Sequence, residues 1–210
     1  MKVTLNILLA VAVIVMGYIC YRSIMDPIEF KKEREKREEA IIARLIDIRK
    51  AQIEYKNIHG EHAGSFDDLA KFLNEEKLPF LIKEGVLTDE QLESGMTEQE
   101  AVKKGLIKRD TFWVTAKDTL FGRDFSAEQL RMVPMAPKPV QFKMDTVTLT
   151  SGSGYVIKVF EAAVPYDDYL GDLDAQQVYN LKDKAEKLDR YAGLRVGSLT
   201  EINNNAGNWE

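Results

Sequence analysis

The order of patterns along this chain predicts an α+β fold: an N-terminal transmembrane helix continuing into a long helix, then short helices and a small antiparallel β-sheet. Three observations carry that reading. Residues 3–21 contain no charged side chain, residues 41–55 repeat apolar side chains at helical spacing, and from residue 111 the apolar period changes to two. With 210 residues, 45% of them apolar, the chain can bury one full core and still carry appendages.

The first element is "VTLNILLAVAVIVMGYICY", Val3 to Tyr21. As a helix its nineteen residues reach about 28 Å, close to the hydrocarbon thickness of a bilayer. Tyr18 and Tyr21 cluster at one end and Arg22 closes the run, as expected at a membrane interface. A cleaved signal peptide would have a shorter apolar core followed by small residues. "YICYRSIM" offers no such site, so the segment reads as an uncleaved anchor over residues 1–25 that meets membrane lipid through residues 3–21.

Asp26-Pro27 then suits a helix start. "EFKKEREKREE" follows, with opposite charges at Glu33/Arg37 and Arg34/Glu38 and one large apolar residue, Phe30. Residues 26–40 therefore read as a solvated charged helical rod, with a soluble α+β domain over 41–210. Within that domain Ile41, Leu45, Ile48 and Tyr55 form a stripe, with Ile42, Ile46 and Ile53 beside it, and Gly60 ends the helix. Ser65 with Asp68 is an N-cap pattern opening a short helix through Leu69, Phe72 and Leu73. Thr88…Gln91 and Thr97…Glu100 repeat the capping spacing between Gly85, Gly95 and Gly105.

Strands are expected at 111–116, 129–135, 140–150 and 155–164, where alternating β-branched and aromatic residues recur. "SGSG" between the last two suits a hairpin turn. Pro134, Pro137 and Pro139 mark an edge or connection. A polar loop after Pro165 precedes a helix from Asp174 to Tyr191, and the tail ends "NNNAGNWE".

The chemistry is bounded by what is missing. The net charge is −5, and residues 1–25 contribute only Lys2 and Arg22, so the remainder is acidic and nucleic acid is not an expected partner. Cys20, the one cysteine, lies in the apolar run, which leaves the soluble part without disulfides or thiol ligands. His59 and His62 are the only histidines, and Gly60 breaks the helix that would align them on a metal. No phosphate-cradling or nucleophile-elbow motif occurs, so neither an enzyme nor a bound cofactor is expected. The acids of "YDDYLGDLD" are the one surplus: Asp167, Asp168, Asp172 and Asp174, with Asn203 to Asn205, are candidate oxygen ligands for calcium, set against a plain solvated loop and helix cap.

"IRKAQIEYKNIHGEHAGSFDDL" resembles the phrase in type IV pilins and pseudopilins where a long helix ends in His-Gly before a "SFDDL"-like start. The resemblance covers residues 1–75 and implies a pilin-like domain, exported and assembling with itself or with other envelope proteins. Unlike pilin leaders, the apolar run is preceded only by Lys2 and contains no acid, a departure that bears on both peptidase processing and pilus-type packing of the stem. "GLRVGSLTEINNNAGNWE" is similar to envelope proteins of Bacteroidetes type, which implies no activity.

The expected function is thus a single-pass, membrane-anchored structural or assembly subunit of a cell-envelope complex. A tethered module binding a ligand or peptide is the alternative, and an anchored hydrolase has the least support. Lys31, Lys32, Arg34, Lys36 and Arg37 favour a cytoplasmic domain by the positive-inside rule. Most of them lie well beyond the bilayer, and the pilin-like phrase implies export, so a periplasmic, extracytoplasmic domain is expected.

Overall fold

The structure is a computed structural model that describes residues 2–84, 95, 97–106 and 108–210. It is α+β, with a long apolar N-terminal helix and two small antiparallel sheets. The stretch read from sequence as one domain divides between two compact units: residues 1–64 with 130–210, and residues 65–129.

The first unit is organised by α1, Lys2–His59, an unbroken helix of 58 residues. The helix start expected at Asp26-Pro27 is not a boundary, because Pro27 lies inside the helix. Proline deletes one backbone hydrogen bond, which long flanking helical runs can absorb. The helix does end at Gly60, whose φ of +80° is the left-handed conformation glycine tolerates, and whose N–H donates to the Lys56 carbonyl at 2.8 Å.

The charged rod is helical, as expected, but it is not bare. Phe30 and Arg37 are each only 8% exposed, and the buried seam then runs through Ile41, Leu45, Ile48, Ala51 and Gln52. Packing therefore begins about one turn past Pro27 rather than at residue 41. The face is also narrower than the sequence suggested, since Ile46 and Ile53 are exposed.

Against α1 lies a three-stranded sheet in the order β3-β4-β5, made of β3 (Lys143–Thr150), β4 (Val156–Pro165) and β5 (Gly193–Gly197). β3 and β4 pair antiparallel, from Lys143 opposite Ala163 to Thr150 opposite Val156. The expected "SGSG" turn joins them, with Ser151 N–H donating to the Tyr155 carbonyl at 2.8 Å. β4 is central and buries Phe160, Ala162 and Val164 completely. β5 went unread in the sequence because it is five residues bounded by glycines. Gly197 is required there, since a Cβ would collide with the Phe160 carbonyl.

Two expectations fail nearby. Residues 129–135 are not a strand: a 3-10 turn, Ala127–Arg131, is followed by one bridge from Met132 to Gln141. Pro134 and a left-handed Met135 (φ 57°) turn the chain back before a ladder can form. The polar loop after Pro165 is instead a short helix, α5 (Tyr166–Leu170), because Tyr169 and Leu170 are fully buried. The next helix, α6 (Ala175–Lys187), starts at the expected Asp174 cap but stops before Tyr191.

The second unit contains α2 (Phe66–Glu75), whose N-cap Ser65 accepts from Asp68 N–H at 3.1 Å and which buries Leu69, Ala70, Phe72 and Leu73. A two-stranded sheet follows, β1 (Lys77–Glu84) with β2 (Lys108–Thr115), paired antiparallel from Lys77 opposite Thr115 to Glu84 opposite Lys108. β1 is not among the strands expected from the sequence; it contains Pro79, which it accommodates because both strands of a two-stranded pair are edges. α3 (Glu98–Lys103) carries the Thr97 capping box, with Glu100 N–H donating to Thr97 Oγ1 at 3.4 Å. The other capping spacing, Thr88…Gln91, lies outside the described residues. α4 (Ala116–Leu120) follows β2 directly and packs on α2.

Candidate functional site

Along α1 the apolar segment has no protein cover. Ile7, Leu8, Ile14, Met16 and Tyr21 are each about 60% or more exposed, and α1 is the one helix, among the described residues, long and apolar enough to cross a membrane. An exposed apolar run of this size is the kind of surface that associates with lipid or with another protein.

Above it, the charged segment is clasped to the first unit by Arg37. Its guanidinium donates to both carboxylate oxygens of Asp172, at 2.6 and 2.8 Å, and to the Tyr169 carbonyl at 2.7 Å. Nε donates to Glu33 at 3.1 Å, one turn back on the same helix. The planar fork of arginine suits this bidentate grip, which lysine could not reproduce. Arg37 in turn holds the Asp172 carboxyl below its usual range. Beside it the Tyr169 hydroxyl donates to Glu38 at 3.1 Å, and burial raises Glu38.

The clasp bears on the candidate calcium ligands. Asp172 is engaged by Arg37, Asp167 takes Lys182 at 2.7 Å, and Asp174 caps α6 by accepting from Gln177 N–H at 2.8 Å. Asp167, Asp168 and Asp172 do share a shallow recess with Lys138. Among the described residues, no three His, Cys, Asp or Glu side chains are grouped so as to hold a metal ion. Asn203 donates to the Ala206 carbonyl at 3.4 Å, and Asn204 and Asn205 both adopt left-handed turns.

A groove of about 600 Å³ opens in the first unit between α1, the end of α6 and β5. Arg34 and Glu38 form one wall; Lys184, Arg190, Tyr191 and Arg195 form another. Arg34 Nε lies 3.4 Å from Glu38, too poorly aligned to hydrogen-bond, and is otherwise buried without a partner. Arg195 pairs with Glu161 at 3.0 Å and stands over the Tyr191 ring at 5.7 Å. Burial pushes the Tyr191 hydroxyl up to about 12. Such a mixed-charge groove can orient a polar ligand by paired donors and acceptors. Its residues come from α1 and from the segment that begins at Tyr166, far apart in the chain, so no local motif announced it.

The tail closes the sheet. Residues 206–208 run along the outer edge of β5, with Gly197 N–H donating to Ala206 at 3.0 Å and Asn208 N–H to Arg195 at 3.1 Å. The Asn208 side chain accepts from Arg195 N–H and donates to the Gly193 carbonyl. Glu210 then pairs with Arg49 of α1 at 2.6 Å, tying the end of the chain to the long helix.

The two histidines have separate surroundings. His59 lies tilted against Tyr55, with ring centroids 4.2 Å apart. His62 is 2% exposed and packs 4.8 Å from Phe160. Burial and the nearby Lys56 depress it to about 4, so it is neutral at ordinary pH, with Nδ1 unpartnered. Its loop is pinned by Gln52, whose amide donates to the Ala63 carbonyl at 3.0 Å and accepts from Ala63 N–H at 2.9 Å. In the second unit, Phe112 and Trp113 are exposed and successive on β2, hence on opposite faces, while Phe121 stacks on Phe125 at 4.2 Å.

The chain matches no family model, no curated protein and no solved structure.

Proposed function

We propose that this chain is a membrane-anchored structural or assembly subunit of a cell-envelope complex, with a pilin- or pseudopilin-like domain outside the cytoplasm. The observation that supports it is α1 itself. One unbroken helix carries a bare apolar segment at its start and the packing seam of a folded unit from Phe30 onward. A rigid link of that kind fixes the folded unit at a set distance and rotation relative to the bilayer, which is what lateral assembly needs and a diffusing tethered enzyme does not. The pilin-like phrase across His59-Gly60 and Ser65 agrees with this reading.

A second reading, a tethered module binding a polar ligand or peptide, rests on the groove around Arg34, Arg190 and Arg195. The hydrolase has the least support, since one histidine packs against a tyrosine ring and the other is buried. Affinity capture of the full chain from gently solubilised membranes, after brief cross-linking, separates the two. The assembly reading expects defined complexes larger than a monomer that persist in Arg34→Ala with Arg190→Ala. A strict monomer would overturn it. Complexes lost on those two substitutions would favour the binding module.

A further inference from the structure

The apolar surface of α1 does not stop at the same height all round. On one side polar residues begin at Arg22, which contacts Asp26 at 2.9 Å and the Tyr18 hydroxyl at 3.4 Å. On another side Tyr21, Ile24 and Ile28 continue as an exposed stripe, 61%, 64% and 54% exposed. At about 100° per residue these three stand roughly 180–240° around the helix from Phe30, the first residue docked in the folded unit. Lys31 and Lys32 follow, both exposed and within about 60° of Ile28.

We infer that α1 crosses the bilayer tilted, with its Tyr21–Ile24–Ile28 face sunk in the lipid interface and Lys31 and Lys32 at the phospholipid phosphates. The inference rests on the anchor reading and adds its orientation and its lipid contacts. Measured along the helix, the apolar stripe reaches Ile28, six residues or about 9 Å beyond Arg22, where polar residues begin on the other side. A flat bilayer can match both limits only if the helix leans toward the longer side. That offset of about 9 Å across a helix about 10 Å wide corresponds to a lean of about 40°, at the upper end of the range of membrane helices.

A separate observation asks for the same lean. A recess lined by Arg22, Asp26, Glu29 and Phe30 also includes Leu173 and Asp174, so the corner between α5 and α6 stands level with the start of the polar segment. An upright helix would press that acidic corner into the headgroup phosphates. Leaning away from the folded unit lifts Asp174 and lowers the two lysines. Lysine stems buried in the interface with their ammonium groups at phosphate are the usual form of such contacts.

The test uses the full chain with Cys20→Ser, reconstituted in nanodiscs of phosphatidylcholine and phosphatidylglycerol. Spin labels are attached after Val13→Cys, Ile24→Cys, Asp26→Cys, Ile28→Cys or Glu29→Cys, one at a time. The ratio of oxygen to nickel-chelate accessibility is expected to be several-fold higher at 24 and 28 than at 26 and 29, against the order along the chain. A smooth fall from 24 to 29 means an upright helix and overturns the tilt. Dipolar broadening between labels at 28 means a second copy covers the stripe and likewise overturns it. Position 13 reports on the anchor alone: a water-like ratio there refutes the anchor reading itself, whatever the others show.

Discussion

Replacing Arg37 with methionine asks whether the charged segment is docked or merely solvated. The apolar stem survives in Arg37→Met, while the bidentate grip on Asp172, the bond to the Tyr169 carbonyl and the tie to Glu33 are lost. Hydrogen bonds to a charged group contribute about 1.5–3 kcal/mol, and a buried carbonyl left unpaired costs about 1–3 kcal/mol. The full penalty for breaking a buried ion pair does not apply, because the Asp172 side chain is 39% exposed and can turn to water. The expected loss is therefore about 2–3 kcal/mol, or roughly 5–10 °C in Tm for a unit of this size. Trp209 lies in the first unit and Trp113 in the second, so removing Trp113 by Trp113→Phe lets indole emission follow the first unit during thermal unfolding of the detergent-solubilised full chain. Glu35→Ala, an exposed neighbour, should change stability by less than about 0.5 kcal/mol. A double-mutant cycle with Asp172→Asn should return a coupling of about 1–2 kcal/mol. Equal effects of Arg37→Met and Glu35→Ala, or a coupling of zero, would refute the docking argument.

Other expectations follow from His62, from Gln52 and from topology. His62 is depressed in the fold to about 4, so the unfolded chain binds the extra proton first as pH falls. Its contribution is whole above the ordinary histidine range and is lost between about pH 6.5 and 4, amounting to about 3 kcal/mol. His62→Phe should flatten that part of the stability profile; an unchanged slope would show that His62 is not the group responsible. Gln52→Leu leaves both Ala63 backbone groups unpaired and should cost about 2–4 kcal/mol in urea titrations, against an expectation of under 1 if the loop is held elsewhere. If the folded part lies outside the cytoplasm, as we propose, a C-terminal alkaline phosphatase fusion should be active and a fluorescent-protein fusion dark; the reverse pattern would put it inside.

Elements whose signals are local were legible in the sequence. Gly60 as a helix stop, Ser65 and Thr97 as caps, and the β3–β4 hairpin each depend on a few neighbouring residues. β1 was hidden because Pro79 is a breaker in a central strand but not in an edge strand. β5 was hidden because five residues between glycines carry too little periodicity. The docking of the charged segment could not be seen at all: Arg37 reads as a solvated charge until Asp172, 135 positions away, is brought to it. The same holds for the groove, where Arg34 and Arg195 meet only through the tertiary fold. Long-range polar partners leave no periodic trace.

The measurement closest to the central claim is alkaline carbonate extraction of membranes carrying the full chain, with N-terminal sequencing of the retained protein. If α1 is a membrane anchor, as we propose, the chain stays in the pellet with residues 3–21 intact, since that segment is exposed and long and apolar enough to span a bilayer. Release into the supernatant, or a mature N-terminus beyond Tyr21, would contradict it.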